Sequence, residues 1–139
     1  MRDDFGQAIA ELALLMPLLA FLLVGGADMG RAFAIQLAVQ NGARAGAEAS
    51  ALDYTPTLAE AQAHATQEMN RTPGMNAAQA TITWTKLKAD GTACPVTPDY
   101  NNPCYFTVRV QYTFRTIIPW PLMPNVFNFD RSTAVRSFN

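Results

Sequence analysis

Polar and apolar positions divide the chain into stretches of different period. From Leu12 to Ala27, sixteen residues carry no charge and present no polar side at any helical spacing. Such a run predicts a membrane-inserted helix, slightly short of the roughly twenty residues that a bilayer takes. Adding Gln7 to Ala10 completes a span over about 7–27, but brings Glu11 into it. Pro17 lies inside this helix and is taken with Gly42 and Gly46 as a helix-packing residue; membrane helices tolerate proline when neighbours satisfy the freed carbonyl.

Beyond Ala27 the helical signal continues with a changed composition. Gln36, Gln40, Arg44 and Glu48 recur every four residues as a polar ridge. Ile35, Val39, Gly42, Gly46 and Ala49 form a second stripe of mostly small residues, against which another backbone can approach closely. Gly42 and Gly46 make a G-x-x-x-G, which serves either to pack helices of different subunits or to seat the carboxy-terminal domain. Asp28 with Arg31 reads as a local surface pair, and Arg44 with Glu48 has i,i+4 spacing. A continuous helix from Gln7 to Ala51 would be about 65 Å long.

The stretch "DYTPT" breaks that helix. A second one follows in "TLAEAQAHATQEMN", with Thr57 and Glu60 at capping-box spacing and a thin apolar face of Leu58, Ala61, Ala65 and Met69. It should end by "RTPG", residues 71–74. The rest has the period of strands. "ATITWTKLK" alternates loosely; in "YFTVRVQYTFR", Phe106, Val108, Val110, Tyr112 and Phe114 face one way and Thr107, Arg109, Gln111, Thr113 and Arg115 the other. "IIPWPLMPNV" holds three prolines and is excluded as a central strand, whereas "FNFDRSTAVRS" returns as a last strand. The fold expected is α+β: a long amino-terminal helix, a short second helix and a small antiparallel three-stranded sheet. Trp84, Tyr112 and Trp120 read as core or interface packing, with Trp120 alternatively an exposed contact on a stiff proline loop.

Composition narrows the function classes. The 139 residues carry a net charge of −1, and the ten basic residues are scattered, so no nucleic-acid surface is expected. Ser50, Ser132 and Ser137 lie in no nucleophile-elbow context, and Gly25 and Gly26 belong to the apolar helix rather than to a phosphate loop. An enzyme is therefore not expected, nor is a cofactor. His64 stands apart from other ligand types, and two cysteines alone leave a zinc ion short of donors, so no metal is expected either. Cys94 and Cys104 flank a proline- and asparagine-rich loop between the first two strands. In an oxidising compartment they close a small ring; in a reducing one they remain thiols.

Glu11 needs an explanation, since a carboxylate at the bilayer centre costs about 2.5–3.5 kcal/mol on insertion scales. An acid in a first helical turn gains about 0.3–1 kcal/mol from the helix dipole. That accounts for neither its apolar flanks nor Gly6, five residues earlier. With "FGQAIAELALLMP", "GGADMGRAFA" and "NGARAGAEA" on one helix, and a weaker likeness in "FDRSTAVR", the chain resembles the TadE-like minor pilins (pseudopilins) of tight-adherence pili, in the type IV pilin superfamily. The resemblance implies a type IV pilin-like fold and a leader, residues 1–6, that a prepilin peptidase removes between Gly6 and Gln7. It also implies a helix over 7–51 and an exported α+β domain over 52–139. Glu11 would then be fifth in the mature chain, paired with the freed amine of a neighbouring subunit. The implied partners are major and minor pilins in a helical fibre, the inner-membrane assembly platform, and membrane lipid. The implied location is the inner membrane, single-pass with the carboxy-terminal domain periplasmic, and later the extracellular pilus. Leu12 stands where major tight-adherence pilins carry tyrosine after the glutamate, which favours a minor subunit. Counted by Lys and Arg alone, Arg31 and Arg44 outnumber Arg2, which opposes that orientation. Two other readings stay open: a bitopic membrane-anchored binding module, and a secreted domain released by cleavage after Ala27, where "VGGA" offers small residues.

Overall fold

The computed structural model describes residues 2–52, 56–95, 103–121 and 123–137, with side chains from residue 6 onward. The element order is α1 (Arg2–Leu52), α2 (Leu58–Met69), a 3-10 turn (Ala77–Gln79), β1 (Thr81–Lys88), β2 (Cys104–Arg115) and β3 (Val126–Arg136). It is the expected α+β arrangement, with one antiparallel sheet in the order β1-β2-β3. The chain forms two compact units, Met1–Arg31 and Ala32–Asn139. The second half of α1 thus belongs to the same unit as the sheet.

The first unit is helix alone. Every large apolar side chain from Ile9 to Leu23 is more than half exposed, on all sides of the helix. A helix apolar all round, with no protein covering it, is matched to an apolar medium. Pro17 sits within it without ending it, although it has no N–H to offer the carbonyl four residues back.

In the second unit β2 is the central strand and its inward row is Cys104, Phe106, Val108, Val110, Tyr112 and Phe114, all buried. The alternation read from the sequence is realised residue for residue. Ile35, Val39, Ala43 and Ala47 of α1 pack in the same core, together with Ala61 and Met69 of α2. Helix α2 starts on the expected capping box: the Thr57 hydroxyl accepts from the Glu60 N–H, and the Glu60 carboxylate accepts from the Thr57 N–H at 3.1 Å. Leu58 departs from its predicted apolar face and is 45% exposed, because the buried contacts of α2 begin one turn later, at Ala61.

A β-carbon on Gly46 would stand 3.3 Å from Val108 Cγ1. From Gly46 back to Ala32 the helix rises about 21 Å, and from Val108 to Phe114 the strand advances about 20 Å. Ala32 and Ile35 share the buried cluster with Tyr112 and Phe114. Phe114, Phe127 and Phe129 lie against one another at the β2–β3 end of the sheet, with ring centroids 6.2–6.4 Å apart.

Cys94 and Cys104 are joined in a disulfide, with their Cα atoms 5.9 Å apart. It ties the segment after β1 to the buried start of β2. The predicted loop between the cysteines falls largely on residues 96–102, and the "DYTPT" break on 53–55; both lie outside the described residues.

Candidate functional site

Beside the disulfide, two groups of residues carry the sequence-derived expectations and a third emerges from the structure; each is described within its own unit. The first is Gly6, Gln7 and Glu11. All three lie in α1, so the Gly6–Gln7 peptide bond is within helical backbone, as is Ala27 at the alternative cleavage point. Gly6 has open space around it, with nothing within 4 Å of a β-carbon placed there. One turn separates Gln7 from Glu11, and the Gln7 Nε2–H donates to Glu11 Oε1 at 3.0 Å. This partner is a neutral amide. It satisfies one lone pair of the carboxylate and brings no positive charge.

Asp28 and Arg31 follow, at 3.0 Å. They differ from the surface pair expected, because the Asp28 side chain is only 1% exposed. The i,i+3 spacing gave the partner correctly but carries no information on burial.

The second group is the small-residue stripe. On Gly42 a β-carbon would meet Met69 Cγ at 2.6 Å and the Ala65 carbonyl oxygen at 3.1 Å; on Gly46, the Ala61 carbonyl oxygen at 2.8 Å. Of the two roles weighed for this G-x-x-x-G, the contacts in the structure are those of an intramolecular seat. Both glycines let α2 of the same chain lie directly on α1. Pro17, assigned to helix packing with them, is exposed in the first unit.

The third group is the outer face of the sheet. Thr83, Thr85, Thr107, Arg109, Asp130 and Ser132 line a shallow polar depression. Arg109 Nε donates to Asp130 Oδ1 at 2.8 Å, and a second bond joins Arg109 Nη2 to Asp130 Oδ2. Gln111 Nε2 adds a third at 3.1 Å. The Arg109 hydrogen bonds hold the Asp130 carboxyl below the usual carboxylate range, and those to Asp130 raise Arg109. On the helix, the hydrogen bond to Glu48 raises Arg44 in the same way.

Trp120 was read as either packing or an exposed contact. It is buried, at 7% exposure, and Asn125 holds it in place: the Trp120 N–H donates to Asn125 Oδ1 at 2.6 Å. Its neighbours are the exposed residues instead, with Ile117 at 69%. His64 is exposed on α2. Among the described residues no group of three or more His, Cys, Asp or Glu side chains comes together to hold a metal ion.

Comparison with known proteins bears on α1. The family model described as "TadE-like protein" matches residues 6–48, beginning at Gly6 and ending within α1. No curated protein and no solved structure matches the chain. Among the described residues one helix, Gly6–Leu52, is long and apolar enough by length and composition to cross a membrane. Residues 6–48, the segment that holds Gly6, Glu11 and both glycines of the seat, are similar to that family model.

Proposed function

We propose that this chain is a minor pilin of the tight-adherence type, a structural subunit and not an enzyme. Its apolar helix stores it in the bacterial inner membrane with the α+β unit on the periplasmic side, until it is inserted in, or initiates, a pilus. One observation carries the reading. Glu11 sits at the entry to an apolar helix exposed on every side, five residues after Gly6, inside the segment that the TadE-like family model matches.

The physical account follows from the partner Glu11 now has. The Gln7 amide offers a hydrogen bond but no charge. Removal of residues 1–6 by a prepilin peptidase converts the Gln7 nitrogen to an ammonium. On an adjoining subunit that ammonium is the counter-ion Glu11 lacks. At 4 Å and an effective dielectric of 20 the attraction is about 4 kcal/mol. Desolvation offsets much of this, so the pair fixes the register between subunits more than it stabilises the fibre. Stabilisation comes from the apolar side chains between Ile9 and Leu23, at about 25 cal/mol per Å² removed from contact with water. The assembly platform of the inner membrane and the other pilins, major and minor, are the partners this requires. The disulfide is in keeping with an exported unit.

Glu11→Val tests the pairing. The variant is expected to lose its leader normally and to stay in the membrane, yet to be absent from sheared pili. Normal incorporation would overturn the reading.

A further inference from the structure

We propose that the depression on the outer face of the sheet binds an uncharged oligosaccharide. It lies wholly within the second unit, and the inference goes beyond the pilin reading without resting on it.

Strand register explains why a depression forms there. Thr83 pairs with Arg109, and Arg109 with Ser132, across the three strands. In the next row on the same face, Thr85 pairs with Thr107 and Thr107 with Ala134. One row further, Leu87 pairs with Tyr105 and Tyr105 with Arg136. The middle row thus carries only short side chains, between the long ones of Arg109 and Tyr105, and its floor is low for that reason. The space above it measures about 440 Å³, within the range of small-molecule sites. From Tyr105 to Arg109 the strand advances about 13 Å, longer than a single pyranose ring.

Charge narrows the occupant. Arg109 and Asp130 neutralise each other within the depression. An anion would have to displace the Asp130 carboxylate, and a cation the Arg109 guanidinium. A divalent cation also needs several oxygen ligands, and Asp130 is the one carboxylate in the lining. Protein interfaces are built around an apolar centre. Here the centre is hydroxyls and an ion pair, and the large apolar groups of this face, Leu87 and Tyr105, stand to one side. A neutral ligand rich in hydroxyls fits both features.

The site also offers what such a ligand needs. A sugar hydroxyl both donates and accepts, as do the hydroxyls of Thr85, Thr107 and Ser132. Among the described residues those three hydroxyls have no protein partner. Arg109 bonds Asp130 through Nε and Nη2, which leaves its Nη1 donors for a ligand. Its guanidinium is held in place beforehand, because Gln111 Nε2 steadies the same carboxylate at 3.1 Å. A donor fixed in this way loses little freedom when a ligand arrives. Half-buried Tyr105, beside the floor, supplies apolar surface for the C–H groups of a sugar ring.

The test uses the full chain, disulfide intact, in a detergent without a sugar headgroup. The probes are uncharged hexose oligomers, uncharged N-acetylhexosamine oligomers, and sulfated forms of both. The expected result is saturable binding of an uncharged oligomer and none of its sulfated form. Thr107→Val, which keeps the shape and the strand preference, and Arg109→Met should each weaken that binding by about tenfold, the worth of one good hydrogen bond. Thr113→Val, on the same face outside the depression, should leave it unchanged. Melting temperatures confirm that each variant is folded. Three results overturn the proposal: no binding of either uncharged set, preference for the sulfated oligomers, or binding that folded Thr107→Val and Arg109→Met retain in full.

Discussion

The carbonyl oxygen of Ala61 lies 2.8 Å from where a β-carbon on Gly46 would be, so α2 rests on α1 with no side chain between them at that point. Gly46→Ala therefore sets two effects against each other. Alanine in a helix interior gains about 1 kcal/mol over glycine, while overpacking a rigid contact costs about 1–3 kcal/mol. The obstacle is backbone, so the clash should win, and the melting temperature of the detergent-solubilised chain should fall. Gly30→Ala, with nothing within 4 Å, should leave it unchanged or raise it. At Gly42 the nearest atom belongs to the flexible Met69 side chain, and the loss should be smaller than at Gly46.

The Trp84 indole N–H donates to the Ser50 hydroxyl at 3.0 Å, and that hydroxyl donates to the Gly46 carbonyl oxygen at 2.8 Å. This relay links the edge strand β1 to α1 on one side of the core. Ser50→Ala would leave the indole donor without this partner, at a cost of about 1–3 kcal/mol. Chemical unfolding should show that loss. Trp84→Phe, which removes the donor and keeps the ring stacked near Phe106, should cost less than the serine change.

Acid should act on the outer face of the sheet through Asp130. Its carboxyl is held below the usual range, chiefly by the Arg109 hydrogen bonds. It ionises more readily folded than unfolded. Its contribution is thus complete above the ordinary aspartate value of about 3.9 and is lost as pH falls through the lower folded value. Wild type should be more stable than Asp130→Asn near neutral pH, and the two should converge under strongly acidic conditions. The measurement is unfolding midpoint against pH for both proteins. An equal gap at every pH would show that the asparagine alters packing rather than charge.

Much of this architecture was legible in the residues, for reasons that also set the limit. Alternation from Phe106 to Phe114 named the buried row, since a strand with one covered face has a period of two. Thr57 and Glu60 named the start of α2, because the capping box is local. The stripe from Ile35 to Gly46 named a contact face but not its occupant: periodicity identifies which side of a helix is covered and says nothing about what covers it. Trp120 takes the packing role rather than the alternative of an exposed contact, and its anchor, Asn125, acts through loop geometry that no repeat encodes. Burial of Asp28 has the same origin, being a tertiary property of a locally ordinary i,i+3 pair. Glu11 was conspicuous by its surroundings alone, and its hydrogen-bond partner is the neutral Gln7 amide.

The central claim is that the amine freed at Gln7 finds Glu11 of an adjoining subunit. It is tested most directly by the intact mass and amino-terminal sequence of the native protein recovered from the membranes and pili of a piliated bacterium. The account predicts a chain that begins at Gln7. A chain still carrying residues 1–6, or one that begins at Asp28, would contradict it.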